Sequence, residues 1–183
     1  MKNKKVLVIL GGTSGERTVS LDSGKACVKA LKKKGYKVST FDPKKKNFSL
    51  IDKNKTDIIF NALHGKDGED GVAQSYFEYL RIPYTHSGVV SSYNAMNKLI
   101  SKQIFKQNKI YSPNYFILKK EDFNKVNLKN LIKLKKIKFP MVVKPINEGS
   151  SIGVKICKNF NSLNSNVKFL FKSYVELIFE PFI

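Results

Sequence analysis

The sequence predicts an α/β protein in two parts: an N-terminal open, mostly parallel sheet flanked by helices, followed by a smaller α+β unit. Three observations predict it. Lys5 to Leu10 is a continuous apolar run, which suits a parallel strand covered on both faces. Such runs then alternate with stretches whose apolar residues recur at helical spacing, the order expected of βαβ units. From about Ser91 the alternation gives way to a mixed pattern, so the boundary falls near residue 95 and divides the chain into 1–95 and 96–183.

Each element has its own signal. After the first strand and the Gly11–Gly12 turn, a helix is expected from about Thr18 to Lys34, with the stripe Gly24, Cys27, Val28 and Leu31, stopped by Gly35. Val38 to Phe41 is the second strand, closed by Asp42–Pro43, and Asp57 to Leu63 is the third. Ala73, Tyr76, Phe77 and Leu80 at i, i+3, i+4 and i+7 mark a second helix, with Asp70 placed to cap it. Ile82 to Thr85 is a short fourth strand. In the second part, a helix across Ser92 to Asn108 leads to a strand at Asn114 to Leu118. A lysine- and asparagine-rich helical stretch then runs to about Lys138. Met141 to Val143 and Ile152 to Ile156 form a hairpin, a helix lies near Leu163 to Phe171, and Tyr174 to Phe179 is a last strand expected to be exposed and open to aggregation.

At 183 residues, 42% hydrophobic and 26% charged, the chain has the composition of a soluble globular protein. No apolar run reaches membrane length and the start is too short for a signal peptide, so cytoplasmic residence is expected. Cys27 and Cys157 lack a CxxC partner and read as reduced thiols. The net charge of +20 suggests nucleic acid, but only Arg17 and Arg81 are arginines. Arginine is the residue favoured for bidentate phosphate and base recognition, so neither a nucleic-acid nor a membrane partner is expected.

Three segments carry candidate chemistry. In FPMVVKPINEGSSIGV, Lys144 sits where a strand leaves the core, followed by Asn147, Glu148, Gly149, Ser150 and Ser151. A half-buried ammonium beside a loop of small residues suits a phosphate-holding hairpin, although a snorkelling lysine on a surface hairpin has the same pattern. Gly11 to Glu16 lies where anions meet a helix N-terminus, and Asp42 stands where a ribose-binding acid would. Only half of a dinucleotide fingerprint is present, however, and Glu16 would repel a pyrophosphate. Glu16 suits either an ammonium ligand or the helix dipole. His64, at the carboxyl end of the third strand, is a ligand-site or a structural histidine. The acids of HGKDGEDG lack EF-hand spacing, and no metal ligands are assigned.

The segments GGTSGERTVSLDSG, ALHGKDGEDGVAQS, IPYTHSG, MNKLISK and VVKPINEGSSIGV, in this order along the chain, resemble the successive motifs of the D-alanine–D-alanine ligases, ATP-grasp enzymes of peptidoglycan precursor synthesis. The resemblance implies a pre-ATP-grasp domain followed by the first ATP-grasp subdomain. It implies that Glu16 helps bind the amino group of the first D-alanine, that Ser150 hydrogen-bonds that glutamate, and that His64 lines the same site. Lys98 and Lys144 would contact the ATP phosphates. Glu148, Ser151 and Gly153 would belong to the loop over them, and Glu180 to Ile183 to the strand beside the adenine. Asn97 stands where an aspartate is usual, and Pro181 where a lysine is usual, which removes one backbone donor.

The family reaction activates D-alanine as an acyl phosphate with ATP and Mg2+ or Mn2+, and a homodimer through the N-terminal domain is implied. The metal ligands and the C-terminal catalytic subdomain are expected outside these 183 residues, so the chain is expected to be a fragment inactive alone. The competing readings are a related ATP-grasp ligase, such as one forming a depsipeptide, and a non-catalytic nucleotide- or nucleic-acid-binding module.

Overall fold

The structure, a computed structural model, describes residues 4–183. The chain divides into two compact units, one through Ala95 and one comprising Met96–Ile183. In the first, β1 (Lys5–Ile9), β2 (Lys37–Phe41) and β3 (Ile58–Asn61) form a parallel sheet in the order β2-β1-β3. The central strand alternates its buried side chains between two cores. Val6, Val8 and Leu10 face α1 (Arg17–Lys33) through Leu21, Val28 and Leu31, whereas Leu7 and Ile9 face α2 (Val72–Tyr79) through Ala73 and Phe77. Gly24 is where α1 comes closest to the sheet: a Cβ there would meet Leu10 Cβ at 2.6 Å. With β2 and β3 on opposite sides of β1, the carboxyl ends of the strands open a crevice between the loops after β1 and β3.

Two expectations for this unit need correction. Ile82 to Thr85 is not a strand but a single parallel bridge, Ile59 to Tyr84. Pro83 has no N–H to donate, and the Asn61 N–H goes to the Thr85 hydroxyl at 3.1 Å rather than to a carbonyl. Gly71, with φ +95°, holds the cap position of α2 that was expected of Asp70. The Asp70 carboxylate still accepts from Val72 N–H at 3.2 Å, and from Asp67 N–H at 2.9 Å.

The expected helix across Ser92 to Asn108 is two, α3 (Val89–Met96) and α4 (Lys98–Gln107). Asn97 breaks it by turning extended and accepting from the Leu99 and Ile100 N–H groups, as an N-cap does. The second unit is then an antiparallel sheet of β4 (Phe116–Lys119), β5 (Met141–Pro145), β6 (Lys155–Cys157) and β7 (Glu176–Pro181), in the order β4-β7-β5-β6. One face packs on α5 (Leu128–Leu134) and α6 (Phe160–Leu170) through Met141, Val143, Leu177 and Phe179. Asn127 caps α5, and Asn159 with Ser162 forms a capping box on α6. The lysine-rich stretch holds the short α5 and a single 3-10 turn at Lys120–Asp122, and the second hairpin strand starts at Lys155, because residues 149–153 turn. The last strand is not exposed: β7 lies between β4 and β5, with Leu177, Ile178 and Phe179 fully buried.

Candidate functional site

In the first unit, the loops after β1 and β3 are laced together. Gly11 donates to the buried Ser20 hydroxyl at 2.8 Å, which donates to Ala62 C=O at 2.6 Å. Thr13 Oγ1 donates to Asp67 Oδ2 at 3.2 Å, and Ser14 Oγ to His64 C=O at 2.7 Å. His64 is half-buried, with Nε2 3.2 Å from Ser23 Oγ and Nδ1 3.5 Å from Glu69 Oε1. Glu16 precedes α1 and makes no side-chain capping bond. Its carboxylate lies over Gly65, where a Cβ would come within 2.5 Å of Oε2. Gly65 has φ +68°, so close approach and backbone both require glycine. Glu16 and His64 thus belong to adjoining loops, beside a cavity of about 240 Å³ lined by Gly12, Thr13, His64, Lys66 and Asp67 among others.

Asp42 takes no part as a ligand acid. Its two oxygens receive the Arg17 guanidinium at 3.0 and 2.7 Å, and Oδ1 also accepts from Gly12 and Lys44 N–H groups. Arg17 in turn donates to Gly12 C=O at 2.7 Å, so Gly12 is held at both ends. The Arg17 hydrogen bonds bring the Asp42 carboxyl down to about 2, against the opposing effect of burial. The ribose role weighed for Asp42 finds no support: its carboxylate is engaged by Arg17 and by the Gly12 and Lys44 N–H groups. A scarce arginine and an acid at a strand end were visible in the sequence, but not that they meet.

In the second unit the register of β5 and β7 decides the site. Lys144 pairs with Ile178 and Val142 with Glu180, so Lys144 and Glu180 are diagonal neighbours on the face opposite the α5 and α6 core. Lys144 Nζ donates to Glu180 Oε1. Lys102, one turn after Lys98 on α4, reaches Glu180 Oε2 at 3.0 Å. Lys98 opens α4; its backbone N–H donates to Ile146 C=O at 3.0 Å and its ammonium donates to Glu148 C=O. Burial lowers the pKa of Lys98, Lys144 lowers it further, and Glu148 and Glu180 oppose them. Burial alone would raise the Glu180 pKa, but hydrogen bonds from Lys144 and Lys102 bring it below its ordinary value. Three ammonium groups and one carboxylate line a cavity of about 320 Å³ with Ser101, Tyr111 and Ser112.

The loop beyond β5 is fixed by its own packing. Ser150, Ser151 and Gly153 have φ of +44°, +61° and +72°, and a Cβ on Gly153 would meet the Pro145 ring at 2.8 Å. Left-handed serines carry strain of order 1 kcal/mol each, which structures keep where the turn is needed. The Glu148 carboxylate bonds to Tyr174, whose pKa is raised by burial and then by Glu148. Pro181 ends β7 opposite Met141, and the next donor, Phe182 N–H, goes to Pro140 C=O at 3.0 Å. The Ile183 side chain is exposed. Lys102 was missed, and its i+4 spacing from Lys98 was the available signal. Glu180 was picked for its backbone, whereas its side chain holds two lysines. Among the described residues no group of three His, Cys, Asp or Glu side chains could hold a metal ion. Both cysteines are free thiols, and among the described residues no helix is long and apolar enough to cross a membrane.

Two family models match the chain: "D-ala D-ala ligase N-terminus" over residues 40–87 and "D-ala D-ala ligase C-terminus" over residues 104–183. The D-alanine–D-alanine ligase of Pelagibacter ubique is 52% identical over 180 residues, which is 98% of this chain and 58% of that protein. A crystal structure of the Bacillus anthracis D-alanine–D-alanine ligase aligns with a TM-score of 0.86 at 38% identity, covering 98% of this chain and 58% of that one. The same enzyme complexed with ATP aligns with a TM-score of 0.79 at 34% identity, over 97% and 58%. The chain spans about half the length of the curated relatives it matches.

Proposed function

Because the chain belongs to the D-alanine–D-alanine ligase family, we propose that it provides the first-substrate and phosphate-binding parts of an ATP-dependent ligase that joins two D-alanines in the cytoplasm. The observation that carries this reading is that Lys98, Lys102 and Lys144 line one cavity with a single carboxylate, Glu180, which Lys102 and Lys144 both bind. Three cations against one anion leave a local excess of positive charge that a polyphosphate would neutralise. A lysine about 4 Å from a phosphate oxygen contributes ~4 kcal/mol at an effective dielectric near 20, before desolvation.

On this reading Lys98 and Lys144 contact the ATP phosphates, the loop carrying Glu148, Ser151 and Gly153 covers them, and the backbone from Glu180 to Ile183 meets the adenine. Glu16 receives the ammonium of the first D-alanine, His64 lines its site, and Ser150 serves the same substrate. The ATP complex of the Bacillus anthracis relative supports the nucleotide. Magnesium or manganese belongs to the proposed reaction, but the described residues do not fit such an ion. A homodimer through the N-terminal unit is part of the same proposal.

The test is isothermal titration of the chain with ADP. Saturable 1:1 binding is expected, weakened about tenfold by Lys98→Met and by Lys144→Met, since one charged hydrogen bond is worth roughly 1.5–3 kcal/mol. Wild-type affinity in both variants would sink the phosphate-site assignment. Salt-dependent DNA binding unaffected by ADP would favour a nucleic-acid module instead.

A further inference from the structure

The Lys102 ammonium differs from its two neighbours in how its protons are used. It has three, and three acceptors surround it: Glu180 Oε2 at 3.0 Å, Ser112 Oγ at 2.8 Å and Pro113 C=O at 3.3 Å. The Tyr115 ring lies beneath it, 5.2 Å from Nζ to the centroid. Its side chain is 10% exposed, against 21% for Lys144. Lys102 is therefore a fixed cation with its donors matched, whereas Lys144 donates to the same carboxylate from a more open position.

We propose that Lys102 is a positioning residue of the phosphate site: it anchors the Glu180 carboxylate, which holds the Lys144 ammonium in place and releases it to an incoming polyphosphate. The proposal rests on the nucleotide reading above. Its physics is that of a buried carboxylate, costly once its partner leaves. When Lys144 turns to a phosphate oxygen, Glu180 loses one cation, and Lys102 keeps the carboxylate neutralised. Without Lys102, Glu180 would have Lys144 as its remaining close cation and would compete with the phosphate for it. Lys102 thus acts on affinity through Glu180, without touching the ligand.

A double-mutant cycle on the 183-residue chain tests this, with ADP and inorganic tripolyphosphate as probes and a thermal melt to check each variant. Lys102→Met is expected to weaken both probes about tenfold, within the range of couplings between contacting residues. In the Glu180→Gln background the same change is expected to cost less than about threefold, since no carboxylate remains to compete for Lys144. Lys102→Arg keeps the charge and is expected to stay near wild type. If Lys102→Met disturbs the Ser112–Pro113 contacts enough to unfold the unit, Lys102→Gln retains two N–H donors for them while removing the charge, and takes its place in the cycle. Equal losses in both backgrounds overturn the proposal, as does a lowered melting temperature with unchanged affinity. Wild-type chain that binds neither probe overturns the nucleotide reading and this proposal with it.

Discussion

Asp42 owes its low pKa to Arg17, and that makes its contribution to stability pH-dependent. The carboxyl falls from an ordinary 3.8 to about 2 in the folded chain. A depressed folded pKa stabilises at pH values above the unfolded pKa, and the gain is lost as pH falls from about 4 through about 2. Asp42→Asn preserves an acceptor for the Gly12 and Lys44 N–H groups but removes the charge facing Arg17. It is expected to lower unfolding free energy by about 1–2 kcal/mol at pH 6, in line with hydrogen bonds to charged groups. Urea unfolding should show the deficit shrinking as pH approaches 2; a deficit that stays constant with pH would count against the ion pair. Single residues were legible in the sequence where chemistry and place coincided, as for Lys144 at the end of a strand. Lys102 and the Glu180 side chain were not, because their meeting depends on strand register and helix phase.

Gly24 and Asn97 show how elements are decided by what they touch. Alanine at an interior helix position is favoured over glycine by about 1 kcal/mol. At Gly24 the added Cβ would stand 2.6 Å from Leu10 Cβ, in the contact between α1 and β1. Overpacking costs about 1–3 kcal/mol, so packing outweighs propensity and Gly24→Ala is expected to destabilise by about 1 kcal/mol in urea melts. A more stable variant would mean that α1 lies further from the sheet. Asn97 starts α4 and so sets where Lys98 and Lys102 face. Asn97→Ala removes the acceptor for two N–H groups and should cost about 1 kcal/mol. Asn97→Asp should remain within about 0.5 kcal/mol, since aspartate caps as well and suits the helix dipole. Strands, helices and their order were readable from periodicity. The break at Asn97 was not, because Ser91, Ser92 and Asn94 in the same run are cap-forming residues too, and nothing in the pattern singles out Asn97. The loss of the fourth strand follows from Pro83, a residue whose missing donor was visible but whose neighbours were not.

At the scale of the whole chain, the net charge of +20 is dispersed over exposed lysines except where Lys98, Lys102 and Lys144 line one cavity with Glu180. There the charge is local and matched to a polyanion, which favours binding over catalysis by this chain alone. Phosphoryl transfer needs the developing charge on the transferring group to be neutralised from several sides, and in ATP-dependent enzymes metal ions supply much of that. The described residues offer lysines but no set of acids able to hold a metal, and Glu180, the acid nearest the lysines, is committed to two of them. The 183-residue chain incubated with ATP, D-alanine and magnesium is therefore expected to bind nucleotide without forming D-alanyl-D-alanine. Mass spectrometry of the reaction, with phosphate release measured in parallel, checks both halves. Dipeptide above the no-protein control would show that residues 1–183 carry the metal-binding chemistry after all. Binding without turnover would place Lys98, Lys102 and Lys144 in the part of the reaction that holds ATP.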